Sequence, residues 1–314
     1  MKLVRFKNGS AERLGAIVGE RIVDLALARA AWAVADGADP DMAIRDSEIR
    51  IPQSMRDFLA AGSAARDSAE AAIANAVDHP DEVFDGRSIN HALASATLLP
   101  PVGDPQKIIC IGQNYRDHCA EQNQPLPERA IIFAKFPSAL NSHGAPIVLP
   151  RISTQVDYEA ELAFVIGKRG KHIDEANARD HIAGFMCLND VSARDIQFGD
   201  KQWVRGKTFD TFAPTGPALV TTDEVPDPHN LKIGLTLNGN VMQDSNTSNL
   251  IFGVYYLVSY LSDVVTLEPG DIVTTGTPGG VGIFRNPPVL LKAGDEVSVT
   301  IEGLGTLTNP VVAE

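Results

Sequence analysis

These 314 residues predict a mixed, mainly β chain of the α+β class, built in two parts. Three observations point there. Weakly alternating apolar runs open the chain, an alanine-rich stretch with helical spacing follows, and strand signals dominate beyond a proline-rich break near residue 100.

From Met1 to Leu25 the apolar residues Leu3, Val4, Phe6, Ala16, Ile17, Val18, Ile22 and Val23 predict short strands, with Gly15 and Gly19 interrupting them. Leu25 to Ala76 carries helical spacing, as in Met55, Phe58 and Leu59. No catalytic constellation stands out in this stretch, which reads as a packing or dimerisation module. The segment LLPPVGDPQK, Leu98 to Lys107, holds three prolines and a glycine in ten residues. Regular structure is disfavoured there, so the segment predicts a boundary between a small N-terminal α+β domain, 1–100, and a second domain, 105–314. Ile108 to Ile111 then reads as a short buried strand ending at Gly112. Leu231 to Leu237 alternates and runs into Asn238-Gly239, a strong two-residue hairpin signal. Asp271 to Thr274 and Glu296 to Ile301 also read as strands, and Ile251 to Leu261 as a helix with Phe252, Tyr255, Tyr256 and Tyr260 at helical spacing.

Composition narrows the function. The net charge of −13 and a pI near 5.0 argue against nucleic acid and acidic membrane surfaces as partners. They leave room for an anionic substrate, because a metal or a local lysine reverses the local potential. Cys110, Cys119 and Cys187 have no metal-type spacing, which predicts a reducing cytoplasm rather than a disulfide framework. The opening residues lack the long apolar run of a secretory signal, and no run of about 18 apolar residues predicts a membrane span.

The chemistry concentrates in DYEAELAFVIG, Asp157 to Gly167. On a strand, residues two apart share a face. Val156, Tyr158, Ala160, Leu162, Phe164 and Ile166 form one apolar face, while the other carries Asp157, Glu159 and Glu161 before turning apolar at Ala163 and Val165. A strand apolar on both faces at one end is an interior strand. Two carboxylates on it need a positive partner, and oxygen donors suit magnesium, manganese or calcium better than zinc. An ordinary half-exposed acidic strand fits the segment equally well on its own.

Further candidates have two local readings each. Asp190 follows the apolar run Ile182 to Leu188, as a third oxygen donor or as a helix N-cap before Ser192 to Gln197. Lys207, between Gly206 and aromatic residues, is a buried lysine needing an anion or a surface lysine. VTTGTPGGVG, Val273 to Gly282, offers backbone N–H groups and hydroxyls to an oxygen ligand. It lacks the lysine of a P-loop and the glycine spacing of a dinucleotide fingerprint. His118 and Glu121, three apart, share a helix face as a base and its supporting acid, or as a chance surface pair.

Taken in order, GQNYRDH, DYEAELAFVIG, LNDVSARDIQ, RGKTFDTFAPTGPALV, LNGNVMQ and GDIVTTGTPGGVG resemble the fumarylacetoacetate hydrolase family from Lys107 to Val312. The opening MKLVRF and RLGAIVGERIVDL are similar to the small N-terminal domain of many members. KQWVRGKTFDTF and DPHNLKI resemble two-domain members near the mammalian domain-containing protein 2 subgroup. The resemblance implies a mixed β-roll or sandwich-like catalytic fold and a homodimer. It also implies a magnesium or manganese site, calcium in some members, on Glu159, Glu161 and Asp190. It implies Lys207 as the active-site lysine, Arg194 and Gln197 as supports for substrate, Thr277 as a ligand to substrate oxygens, and His118 as general base with Glu121 behind it. The implied substrate is a small anionic 2-oxo acid. The implied reaction is hydrolysis of a carbon–carbon bond in an acylpyruvate or related 1,3-diketo acid through a metal-chelated enolate. Decarboxylation, hydration or keto–enol tautomerisation of a 2-oxo diacid such as oxaloacetate is the alternative.

Overall fold

A computed structural model describes all residues, Met1–Glu314. The N-terminal segment forms three antiparallel strands, β1 (Lys2–Asn8), β2 (Ala11–Val18) and β3 (Arg21–Asp24). Gly19 turns the chain with φ +58°, whereas Gly15 lies inside β2, where a Cβ would meet Ile22 and Phe6 within 3 Å. Four helices follow: α1 (Leu25–Ala35), α2 (Pro40–Arg50), α3 (Met55–Ala60) and α4 (Ser63–Asp78). Their starts are written locally. Asp24, Asp39 and Ser54 accept backbone N–H groups of the first turns of α1, α2 and α3, and Pro40 opens α2. Small residues Ala65, Ala69, Ala72 and Ala76 make the buried stripe of α4.

Beyond the proline-rich segment come β4 (Ile108–Gly112), α5 (Arg116–Glu121), β5 (Ile131–Lys135), β6 (Ala160–Ile166), β7 (Ile182–Asn189), α6 (Arg194–Asp200), α7 (Val204–Lys207) and β8 (Ala213–Thr221). The chain closes with β9 (Lys232–Leu237), β10 (Asn240–Asn246), α8 (Val254–Val264), β11 (Ile272–Thr274), β12 (Glu296–Ile301) and β13 (Gly305–Ala313). Asn238 and Gly239 take φ +52° and +78°, the left-handed pair that a tight β9–β10 hairpin requires. Helix α8 starts three residues later than its periodicity suggests, because Asn114 ties down the N–H groups of Ile251 and Phe252.

One large mixed sheet runs β3-β2-β1-β8-β7-β6-β11-β4-β5, with short strands added at its edge and flanks. A five-stranded sheet, 147–149 then β13-β12-β9-β10, packs on one side. Alternation along β6 explains the layering. Leu162, Phe164 and Ile166 enter a core shared with the five-stranded sheet and α8. Ala163 and Val165 enter a second core shared with α1, α3 and α4. All seven residues of β6 are buried, as an interior strand requires. The N-terminal strands join the same sheet, with Leu3 of β1 opposite Leu219 of β8. No helix is long and apolar enough to cross a membrane.

Candidate active site

The strand read from Asp157 to Gly167 is broken at Tyr158 and Glu159, with 156–157 paired to 192–193 and β6 starting at Ala160. The break sets the site. At it, Glu159 N–H donates to Asn189 Oδ1 (3.0 Å) and Asp190 N–H donates to the Glu159 carbonyl (2.9 Å). The corner after β7 is thereby stitched to the corner before β6, and Asp190 is delivered to the two glutamates. Carboxylate oxygens of Glu159, Glu161 and Asp190 lie within 4.8 Å of one another, and all three residues are buried.

The cations come from elsewhere. Lys207, at the end of α7 and 2% exposed, donates from Nζ to Glu159 Oε2 and Asp190 Oδ2, both at 2.7 Å. Arg194, opening α6, reaches Asp157 Oδ2 (2.8 Å) and Glu159 Oε1 (2.7 Å) and donates to Gln197 Oε1 (3.0 Å). The surface reading of Lys207 and the capping reading of Asp190 both give way, since Ala193 occupies the cap of α6 without a side-chain bond. Burial opposes ionisation of Glu159, but Lys207 and then Arg194 hold its carboxyl below the usual range. Glu161 goes the other way. Burial, then Asp190 and Glu159, push it well above the usual range.

That imbalance tests the site for a metal. Lys207 pairs with Glu159 and Asp190 and Arg194 with Glu159, whereas no lysine or arginine of the chain pairs with Glu161, so the cluster has room for a further positive charge. Three converging carboxylates with no sulfur or imidazole among them fit a hard divalent cation. The donor set therefore fits the implied ion.

The Gly/Thr-rich loop after β11 works through its backbone. Gly276 N–H donates to Glu161 Oε2 (2.9 Å), Gly280 N–H to Glu121 Oε2 (2.7 Å) and Gly282 N–H to Asp157 Oδ1 (2.8 Å). Gly276 needs φ +89°, and a Cβ there would press on Asn114 and Ile111 at 3.0 Å. Thr277 is buried, and its Oγ1 accepts from Gln243 Nε2 (2.8 Å), leaving its O–H free to donate.

On α5, His118 Nδ1 lies 2.6 Å from Glu121 Oε1. A carboxylate only accepts, so Nδ1 carries the hydrogen, and in the neutral ring Nε2 is then the atom with the lone pair. Residues His118, Glu159, Glu161, Arg194, Gln197, Lys207 and Thr277 all line one cavity of about 100 Å³, together with Phe133, Phe198, Trp203 and Phe284. Glu121 stands behind His118.

Three contributors escape the sequence reading, and Asp157 takes a different role from the one its face suggests. Lys135, at the end of β5, is wholly buried against Asp190 Oδ1 and the Val191 carbonyl. Asp157 engages Arg194 and the loop N–H groups rather than the acid cluster. Gln243 braces Thr277, and Gln122 meets His118. Asp157 was visible in the acidic run, and a lysine closing the apolar run Ile131 to Ala134 was a faint signal for Lys135. Nothing local marked the two glutamines.

A mixed sheet carrying a buried carboxylate cluster, a backed histidine and a small cavity that both line fits an enzyme of small molecules. Residues 107–312 match the family model described as fumarylacetoacetate (FAA) hydrolase C-terminal. The chain belongs to the fumarylacetoacetate hydrolase family. It is 50% identical over 264 residues to the mitochondrial oxaloacetate tautomerase fahd2 of Xenopus laevis, covering 83% of this chain and 79% of that one. It is 48% identical to the mitochondrial oxaloacetate tautomerase FAHD2A of Homo sapiens, covering 83% and 81%. Among solved structures, the fumarylacetoacetate hydrolase of psychrophilic Exiguobacterium antarcticum aligns over 100% of both chains with a TM-score of 0.78 and 30% identity. The maleylpyruvate hydrolase of Sphingobium sp. SYK-6, in complex with manganese(II) and pyruvate, aligns over 100% of this chain and 99% of that one with a TM-score of 0.75 and 32% identity.

Proposed function

We propose that this chain interconverts the keto and enol forms of a short 2-oxo diacid, with oxaloacetate as the reference substrate. The observation that carries the reading is the 48–50% identity to proteins named oxaloacetate tautomerases, set against 30–32% to the named hydrolases.

Glu159, Glu161 and Asp190 are proposed to hold magnesium or manganese, which supplies a Lewis-acid pull on a 2-oxo group when bound. Lys207 and Arg194 fix the carboxylates in place. The Thr277 hydroxyl donates to a substrate oxygen, and Gln197, held by Arg194, lines the wall beside it. His118 takes the C3 proton on Nε2, and Glu121 stabilises the resulting imidazolium across the 2.6 Å contact. The imidazolium gives up this proton and the 2-oxygen takes one, directly or by exchange with solvent, which completes the enol with no net change in protons. No water is consumed.

The test is enol absorbance with purified protein and oxaloacetate, with magnesium and with EDTA. Metal-dependent acceleration of the equilibration supports the reading, and a rate equal to buffer alone sinks it. Carbon–carbon hydrolysis is the second reading, favoured by the hydrolase neighbour that holds manganese and pyruvate. It predicts pyruvate plus a free acid from an acylpyruvate by mass spectrometry. We also propose a homodimer in a reducing compartment. The three cysteines are free and buried, and the vertebrate relatives are named mitochondrial. Sedimentation and fractionation test these two points.

A further inference from the structure

Gln122 caps the C-terminus of helix α5, and its amide nitrogen lies 2.8 Å from His118 Nε2 and 3.3 Å from the His118 carbonyl oxygen. Both partners are acceptors, since Nδ1 holds the ring hydrogen for Glu121. The –NH2 end of the amide therefore belongs there. The basic atom of the site is capped by a neutral donor from the C-terminal cap of its own helix, and both residues line the cavity. The cavity offers no uncommitted basic side chain. Lys207 is held by Glu159 and Asp190, and Arg194 by Asp157 and Glu159. A dianionic substrate whose 2-oxo end sits at the carboxylate cluster thus meets, at its other end, an amide beside the base.

We propose that Gln122 recognises the far carboxylate of a 2-oxo diacid and, by turning to it, uncaps His118. The inference rests on the tautomerase reading of the same site. In a four-carbon 2-oxo diacid, the carbon that loses its proton is bonded directly to the far carboxyl carbon. A donor next to Nε2 reaches that carboxylate while Nε2 faces the C–H bond. A charge-assisted hydrogen bond is roughly twice as strong as a neutral one. The substrate carboxylate therefore outcompetes the neutral imidazole for the same N–H. A 2-oxo monoacid brings no such acceptor and leaves the base capped. In the step that follows, the C3–H electron pair becomes the C2=C3 π bond and the 2-oxo oxygen gains a proton. Keto and enol forms are isomers, so no oxidant or co-reactant is needed. Gln197 is tied through its Oε1 to Arg194 beside Glu159, at the carboxylate-cluster end of the cavity.

The test compares calorimetric affinities of the magnesium-loaded protein for oxaloacetate and for pyruvate, in the wild type, Gln122→Met and Gln122→Glu. The methionine variant preserves shape. It is expected to weaken oxaloacetate about tenfold while pyruvate changes by less than about twofold. KM for oxaloacetate should rise in parallel, and the glutamate variant should lose more through charge repulsion. Equal losses for both ligands would mark a structural role for Gln122 and overturn the inference, as would no loss at all. Wild-type protein that binds oxaloacetate in a Gln122-dependent way without tautomerising it would retire the reaction and keep the recognition role. Turnover without discrimination would do the reverse. Failure of the wild type to bind oxaloacetate sinks both.

Discussion

Burial, and then Asp190 and Glu159, push the Glu161 carboxyl well above its usual range, so a neutral group at this position suits the metal-free protein. Glu161→Gln is therefore expected to leave the metal-free melting temperature unchanged or raised. The same variant should lower metal-dependent turnover by about 10²–10³, since the proposed ion would lose one of its negatively charged donors. Thermal scans with and without magnesium, beside turnover, check both halves. His118→Ala should cost the tautomerase about 10²–10⁴ in kcat, the range for a positioned acid–base group, and should leave metal-driven decarboxylation largely intact. His143 gives a pH prediction away from the cluster. Burial lowers it from 6.5, and its Nδ1 accepts the Thr308 N–H at 3.1 Å. The native state then binds fewer protons than the unfolded chain. The associated stability is complete above pH 6.5 and is lost as pH falls through the lowered value. His143→Gln should flatten the slope of denaturant stability below that pH.

At the scale of elements, Gly282 shows how closely the loop after β11 is fitted to its acids. A Cβ there would meet the Val289 carbonyl at 2.0 Å and Asp157 Oδ1 at 2.5 Å. Gly282→Ala should destabilise by about 1–3 kcal/mol and disturb Arg194 through Asp157. Lower Tm together with reduced kcat would agree, and an unchanged kcat would detach Asp157 from the site. The individual acids were legible because strand alternation and the ends of apolar runs single them out. Lys135 was not, because it meets Asp190 across 55 positions of sequence, and only the assembled sheet brings them together. The broken strand was misread for a related reason. Alternation put Asp157 on the face of Glu159 and Glu161, but the bonds that interrupt the ladder come from Asn189 and Asp190, outside the window.

For the whole molecule, the chain order of strands, proline-rich break and later strands was visible, but the sharing of one sheet was not. The division at residues 1–100 and 105–314 remains a proposal about independent folding. Leu3 pairs opposite Leu219, and α1, α3 and α4 bury the face that includes Val165, Met186 and Leu188. A chain starting at residue 105 would expose that face and the edge of β8. It is expected to aggregate, and the full chain to unfold in a single calorimetric transition. Two separate transitions would favour two independent units. Register between distant strands depends on which apolar faces meet, and composition alone leaves several pairings open.

The site's two ends are anchored unequally. Glu161 rides on β6, which is covered on both faces, and Asp190 follows its neighbour β7. His118 rides on a six-residue helix and Gln122 caps it, and bonds from Arg116 to the Leu250 carbonyl (2.6 Å) and from Ser245 to Asp117 (2.5 Å) fasten it. Short peripheral segments open locally, whereas central strands open only with the whole molecule. The two ends therefore keep different clocks. The base sits on a segment that opens early, and the carboxylates sit where the chain opens last.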